Sequence, residues 1–119
     1  MKILVVVHGY PPTAVAGTEI CAQRLCVALK EMGHDVSVIA REERFGCPEY
    51  KIMRDKRDGI PVMRIVNNFT KLSEQHMYDY HPRIEEIFED ELLRLQPDLV
   101  HVQHLSGASW GVPIVVKKH

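Results

Sequence analysis

Six residues near the amino terminus, Lys2–Val7, limit the folds that this 119-residue chain can adopt. Five of them are consecutive apolar residues that point to both faces of a strand, which is typical of a strand buried on both sides in a parallel sheet. Parallel strands need crossover connections, and these are usually helices. An α/β fold is therefore expected, and the length suits one domain because single cores extend to roughly 250 residues.

A helix and a second strand are predicted next. The apolar residues that recur at helical spacing are Cys21, Leu25, Ala28, Leu29 and Met32. This stripe is expected to pack on the sheet, and Gly33 supplies the left-handed residue that ends such a helix. The segment Asp35–Ala40 then predicts a strand beside the first and parallel to it, with Lys2–Val7 in the centre of the sheet.

The rest of the chain continues the alternation. Tyr50–Met53 and Ile60–Val66 flank a charged stretch that ends in Asp58-Gly59, a dipeptide typical of β-hairpins. Pro82 suits the first position of a second helix that ends before Pro97. The apolar face of this helix is expected to comprise Ile84, Ile87, Phe88, Leu92 and Leu95.

The acidic run Glu89–Glu91 of the second helix is interpreted as a solvated face. Leu99–Gln103 predicts a short strand, and residues 67–81 are expected to form a loop. For residues 109–119 a short helix is favoured over a strand, because too few residues separate them from the preceding strand for a parallel crossover. The fold class expected is a Rossmann-like three-layer sandwich with a mainly parallel sheet.

Charge and cysteine usage exclude several classes of function. Fifteen Lys and Arg against sixteen Asp and Glu leave a formal charge of -1, so a nucleic acid partner is not expected. The longest apolar run is far shorter than the ~20 residues that span a bilayer, and no signal peptide is recognised, so a cytoplasmic location is expected. Three cysteines without a Cys-x-x-Cys motif indicate neither a disulfide framework nor a zinc site.

The segment after Val7 is the richest candidate site, because ligands of open parallel sheets bind outside the carboxyl ends of the strands. It is longer than the roughly 2–6 residues of a usual βα loop. Gly17 and Thr18 open the first helix, whose unpaired N–H groups suit a phosphate. The alternative is structural: Gly17 turns the chain and Thr18 caps the helix. No Gly-x-Gly-x-x-Gly or Gly-Lys-Ser/Thr motif is present, which argues against dinucleotide oxidoreductases and P-loop enzymes.

Two histidines near the last predicted strand are candidate site residues. His101 and His104 are three positions apart, so on an extended strand they face opposite sides, and no third ligand is near in sequence. No metal site is therefore expected. His104, at the carboxyl end of the strand, is expected to touch the substrate, whereas His101 is interpreted as a residue of the sheet.

Seven short motifs follow one another in a characteristic order. They are Lys2–Val7, Tyr10–Pro12, Ala16–Glu19, Leu25–Leu29, Gly33–Val36, Asp58–Val62 and Pro97–Val102. This order resembles the amino-terminal domain of GT-B glycosyltransferases, specifically the group-1 family (family 4) of retaining enzymes. The resemblance implies transfer of a hexosyl sugar from a nucleotide-sugar donor to an acceptor hydroxyl, without a metal or other cofactor, in a cleft between two Rossmann-like domains.

The resemblance also implies roles for parts of this chain. Residues 1–119 would be the acceptor-side domain, incomplete and without the carboxyl-terminal donor-binding domain, and therefore inactive alone and prone to self-association. Ala16, Gly17 and Thr18 would bind the donor phosphates, with alanine in place of the family's first glycine, and His104 would contact the acceptor. The parent enzyme could contact a membrane peripherally.

Two other functions stay open at this point. One is a stand-alone, non-catalytic α/β binding or interaction module that keeps the fold without the reaction. The other is a small-ligand epimerase that shares the GT-B fold. The donor base, the sugar and the acceptor are not indicated by any of the motifs.

Overall fold

The computed structural model describes residues 1–11, 17–42, 46–48, 50–66 and 82–102. In chain order, its elements are β1 (Lys2–Val7), α1 (Gly17–Glu31), β2 (Asp35–Glu42), β3 (Ile52–Arg57), β4 (Ile60–Val66), α2 (Pro82–Leu95) and β5 (Leu99–Val102). The interpretations of residues 67–81 and 109–119 lie outside the described residues. Among the described residues, no helix has the length and hydrophobicity needed to span a bilayer.

The described strands form one sheet in the order β3-β4-β2-β1-β5. β1 pairs in parallel with both β2 and β5, and β2 pairs in parallel with β4, whereas β3 is antiparallel to β4. The prediction that the first two strands lie side by side and parallel is confirmed. So is the expected Rossmann-like α/β class.

Two apolar cores lie on opposite faces of this sheet. On one face, Val5 of β1 and Val38 of β2 pack with Ala22 and Cys26 of α1. On the other face, the packed residues of β1 and α2 are Leu4, Val6, Ile84, Ile87, Phe88 and Leu92. Consecutive residues of β1 thus pack in different cores, which explains the unbroken apolar run. The predicted apolar face of the second helix is confirmed.

The buried face of α1 differs from the predicted stripe. The exposed members of that stripe are Cys21, Ala28 and Met32. The helix instead turns Glu19, Ala22 and Cys26 toward the sheet, and all three are buried. Leu29 of the predicted stripe packs against the core, and Leu25 is half-buried, so the prediction is correct in part. The inward face starts with a charged residue and continues with small ones, which is why the apolar pattern did not include it. Ala22 and Cys26 leave room for the helix to lie close to β1 and β2.

The hairpin forms as predicted, although its first strand is longer. β3 runs from Ile52 to Arg57 through the charged stretch, rather than over 50–53. Asp58 and Gly59 have φ values of 55° and 76°, the left-handed conformation that two-residue hairpin turns require. Lys30 and Gln23 of α1 both bond to Asp58, at 2.9 and 3.0 Å, so the turn is fixed to the helix.

β5 closes the described sheet on the side of β1. Its residues Leu99 and His101 pair in register with Ile3 and Val5, and Leu99 is 50% exposed. The main-chain N–H of Lys2 donates to Asp98 Oδ2 at 2.8 Å, and the N–H of Asp98 donates to the Lys2 carbonyl at 2.8 Å. These reciprocal bonds align the start of β5 with the start of β1.

Candidate functional site

Polar side chains gather where β1, β2 and β4 end. His8 and Tyr10 follow β1, Glu42 is the last residue of β2, and Arg64 lies near the end of β4. Glu19 lies in the first turn of α1, which starts at the same edge. This is the carboxyl edge of the parallel strands, where ligands of open α/β sheets bind.

Arg64 connects the hairpin to the segment that follows β1. It is 3% exposed, and its Nη1 and Nη2 donate to the carbonyl oxygens of Tyr10 and Pro11 at 2.9 and 2.7 Å. Its Nε and Nη2 donate to the two Asp55 carboxylate oxygens at 2.7 and 3.2 Å, and Glu42 Oε1 lies 3.8 Å from Nη1. Two carboxylates therefore balance the buried charge, and the planar guanidinium bonds to three residues at once.

The Tyr10 ring is fully buried beneath this guanidinium. The Arg64 Cζ atom lies 5.9 Å from the ring centroid, within range of a cation–π interaction. Burial raises the pKa of the Tyr10 hydroxyl and also raises the pKa of the neighbouring Cys26 thiol. Both groups are therefore neutral at pH 7, and Cys26 acts as a core residue rather than as a nucleophile.

His8 and Glu19 form a contact between the end of β1 and the start of α1. His8 Nε2 donates to Glu19 Oε1 at 3.1 Å, and Glu19 is 6% exposed. Among the described residues, the other carboxylate oxygen, Oε2, has no hydrogen-bond partner although it is buried. A carboxylate in the first turn interacts favourably with the helix dipole. It also brings negative charge to the start of α1, where the sequence predicts a phosphate.

Gly17 is the first residue of α1 and is exposed. A methyl group added there would meet no atom of the described residues within 4 Å, so packing does not require a glycine. Gly17 is also not among the glycines with positive φ, which are Gly33, Gly46 and Gly59. The structural alternative of a left-handed turn at Gly17 therefore receives no support from its backbone.

The other predicted site residues are described only in part. The backbone of Thr18 belongs to α1, whereas its side chain, Ala16 and His104 lie outside the described residues. His101 lies in β5 and is exposed, as a residue of the sheet. Within the described ranges, no group of three or more His, Cys, Asp or Glu side chains is arranged to hold a metal ion.

Residues 15–119 match the family model described as Glycosyltransferase Family 4. The chain belongs to this family. The resemblance to family 4 GT-B glycosyltransferases seen in the order of motifs is thereby confirmed. An uncharacterized 42.6 kDa protein in the cps region of Klebsiella pneumoniae is 30% identical over 128 residues. The match covers the whole of this family 4 chain and 34% of that relative, so the chain spans about a third of its length.

Two solved structures share the fold of this family 4 chain. Sucrose-phosphate synthase from Thermosynechococcus elongatus superposes with a TM-score of 0.54 and 16% identity, over 86% of this chain and 27% of that one. A structure described as trehalose-6-phosphate from E. coli bound with UDP-2-fluoro glucose gives a TM-score of 0.50 and 14% identity, over the same shares of the two chains. At this identity, the likeness establishes the fold.

Sequence analysis of this family 4 chain missed most of the polar cluster. Arg64 had a signal, because a charged residue inside the apolar run Ile60–Val66 must find partners when the strand is buried. Glu19 had a weaker one, since it follows the predicted start of α1 directly. No pattern in the sequence indicates which residues they pair with, because the partners are distant in the chain: Arg64 and Tyr10 are separated by 54 residues.

A second polar cluster lies on the face of the sheet that α2 covers. Glu91 is 5% exposed, which corrects its interpretation as part of a solvated face. Arg54 of β3 and Arg94 of α2 each donate two hydrogen bonds to its carboxylate, and these lower the pKa of Glu91 to about 2. These three side chains line a cavity of about 550 Å³ near the amino ends of β2 and β4, and neither His8 nor Gly17 lines it.

Proposed function

We propose that this chain is the acceptor-side, amino-terminal domain of a retaining hexosyltransferase, which moves a sugar from a nucleotide-sugar donor to an acceptor hydroxyl. The observation that carries the proposal is the exposed start of α1 at Gly17, beside the His8–Glu19 contact at the carboxyl edge of the sheet, in a chain of glycosyltransferase family 4. In an α/β sheet this edge is where ligands bind.

The donor diphosphate is proposed to bind at the start of α1. Ala16, Gly17 and Thr18 would contact it, and at Gly17 an added methyl group would meet no atom of the described residues within 4 Å. Unpaired N–H groups and the helix dipole favour an anion there, and they would stabilise the charge that develops on the leaving diphosphate. His8 supports this role, because its contact with Glu19 at 3.1 Å holds that carboxylate away from the proposed phosphate.

The acceptor is proposed to bind near His104. This residue follows β5 by two positions, and β5 pairs in parallel with β1, with Val102 opposite Val6. β5 therefore ends at the same edge of the sheet as β1. A histidine at this place can exchange a hydrogen bond with an acceptor hydroxyl.

The proposal also includes the cofactor requirement, the domain composition and the cellular location of the parent protein. The donor is a substrate, and neither a metal nor another cofactor takes part. Transfer needs a donor-binding domain outside this chain, so the isolated chain is inactive. Self-association of the isolated chain is also part of the proposal. This proposal fits the coverage of the Klebsiella pneumoniae relative, of which the chain spans 34%. The parent works in the cytoplasm without nucleic acid, in peripheral contact with a membrane.

The test is a transfer assay on the full-length protein that follows release of the nucleoside diphosphate. Gly17→Val places a β-branched side chain over the proposed phosphate site and should lower transfer by about 100-fold, the scale of removing one stabilising donor group. Ala28→Val is the matched control, because it adds the same side chain at an exposed position of α1 far from its start. It should leave transfer unchanged.

Two outcomes would contradict the proposal. A folded Gly17→Val protein that transfers sugar at the normal rate would remove the phosphate role of Gly17. Tight and saturable binding of a nucleotide-sugar to the 119-residue chain alone, measured by calorimetry, would instead favour the stand-alone binding module.

A further inference from the structure

The β3–β4 hairpin is bonded to both sides of the segment that connects β1 to α1. Before that segment, Arg64 of β4 bonds to the carbonyl oxygens of Tyr10 and Pro11. After it, the hairpin turn at Asp58 accepts hydrogen bonds from Gln23 and Lys30 of α1. The hairpin thereby holds the last residues before residues 12–16 and the helix that follows them.

The bonds to Tyr10 and Pro11 depend on the shape of the guanidinium. Two different Nη atoms of Arg64 reach two consecutive carbonyl oxygens, while Nε remains on Asp55. A lysine has one charged nitrogen and no planar fork, so it cannot reproduce this set. It would still place a positive charge near Asp55 and Glu42.

These bonds fix the position of the backbone as well as stabilising the packing, because their acceptors are main-chain carbonyl oxygens. Losing them frees Tyr10 and Pro11 to shift relative to β4, while the sheet retains the pairing of β2 with β4. A shift of about 1 Å at a binding loop is enough to lower the efficiency of an enzyme by roughly 100-fold.

We propose that Arg64 is a positioning residue for the donor site: it fixes the backbone of Tyr10 and Pro11 relative to the hairpin that also holds α1, so that the start of α1 keeps its position at the carboxyl edge of the sheet. The proposal rests on the function proposed above. Arg64 is 3% exposed, so it acts on the donor through the backbone and not by direct contact. Its effect should therefore fall on donor binding and not on the acceptor.

The experiment compares Arg64→Lys with Arg54→Lys in the full-length protein. Arg54 is the matched control, because it also bonds to a carboxylate with two N–H groups and lies on the same hairpin, but its partner is Glu91 of α2, on the other face of the sheet. Arg64→Lys should raise the KM for the nucleotide-sugar about 10-fold and leave the acceptor KM within about 2-fold. Arg54→Lys should leave both values unchanged.

A second variant covers the case in which Arg64→Lys does not fold. Asp55→Asn removes the charged partner at a side chain that is 41% exposed, while both carbonyl bonds remain available to Arg64. It should fold and raise the donor KM by a smaller factor. An unchanged donor KM in a folded Arg64→Lys protein, or an equal rise in Arg54→Lys, would overturn the proposal.

Hydrogen exchange separates this inference from the proposed function. Arg64→Lys should increase amide exchange in the peptides that cover residues 1–11 and 17–25, and leave residues 82–102 as in the wild type. If the wild-type protein transfers no sugar, the proposed function fails, and unchanged exchange in residues 1–11 would then reject the positioning role as well. Faster exchange there would retain it for whatever ligand binds at this edge.

Discussion

Arg54 and Glu91 join the hairpin to α2 through two hydrogen bonds of 2.9 and 3.2 Å. Arg94 donates two more to the same carboxylate, from one turn further along the helix. The Glu91 carboxylate is buried, whereas both arginine side chains are more than half exposed. The free energy of this contact therefore depends on the charge of Glu91.

The first prediction concerns acid. Hydrogen bonds from Arg94 and Arg54 lower the pKa of Glu91 from its usual 4.5 to about 2, so between these values the unfolded chain binds more protons than the folded one. This contribution to stability is complete above about pH 4.5 and is lost as the pH falls toward 2. Denaturant unfolding at a series of pH values measures it.

Glu91→Gln should remove that part of the pH dependence and lower the free energy of unfolding at pH 7 by roughly 2–4 kcal/mol, because two arginines lose their charged partner. Glu86→Gln is the control, since Glu86 is exposed and pairs with Arg83 at 3.4 Å on the same helix. It should change stability by less than about 1 kcal/mol. Equal effects of the two substitutions would contradict the interpretation.

The second prediction concerns two glycines with different roles. Gly59→Ala should destabilise the fold by about 1–2 kcal/mol, because φ at Gly59 is +76° and the Lys30 ammonium occupies the place of the added methyl group. Gly17→Ala should not lower stability, since Gly17 is helical and an added methyl group meets no atom of the described residues within 4 Å. Urea unfolding at pH 7 compares them, and a larger loss for Gly17→Ala would refute this assignment.

The third prediction concerns the contact between His8 and Glu19. His8→Ala removes the Nε2 donor from a buried carboxylate and should cost about 1–3 kcal/mol of stability. Adding Glu19→Gln to His8→Ala should recover part of the loss, because the neutral amide has a smaller desolvation cost. A double-mutant cycle measures the coupling, and additive effects would show that the two side chains act independently.

The fourth prediction concerns the thiols. Cys21 is exposed and Cys26 is buried, and burial raises the pKa of the Cys26 thiol. Iodoacetamide at pH 8 should therefore modify Cys21 rapidly and Cys26 only after denaturation. Peptide mass spectrometry locates the label, and Cys21→Ser should eliminate the fast reaction. Modification of native Cys26 at the rate of Cys21 would indicate that α1 separates readily from the sheet.

The sequence predicted the elements wherever local patterns decide them. Ile3–Val7 must be buried on both faces, Asp58-Gly59 favours a hairpin turn, and the apolar face of α2 has no competing pattern. The predicted face of α1 was wrong in part, because Glu19 occupies an inward position that apolar periodicity excludes. Its burial depends on His8, and no local pattern indicates that pairing.

Only the part of the candidate site that depends on residues close together in the sequence could be predicted. The start of α1 at Gly17 follows from a glycine and a capping residue before an apolar stripe. Arg64 and its partners come from β4, β3, β2 and the segment after β1, so their contacts arise from the order of strands in the sheet. Strand order is a property of the whole chain, and a single segment carries no signal for it.

The position of β1 between β2 and β5 has a consequence for synthesis of the chain. β1 leaves the ribosome first, and β2 can pair with it soon afterwards, but its other edge stays open until Leu99–Val102 has been made. The bond from Lys2 to Asp98 spans 96 residues, and such non-local contacts slow folding. During this interval one edge of the apolar strand β1 is unpaired, and such an edge makes a nascent chain prone to aggregation.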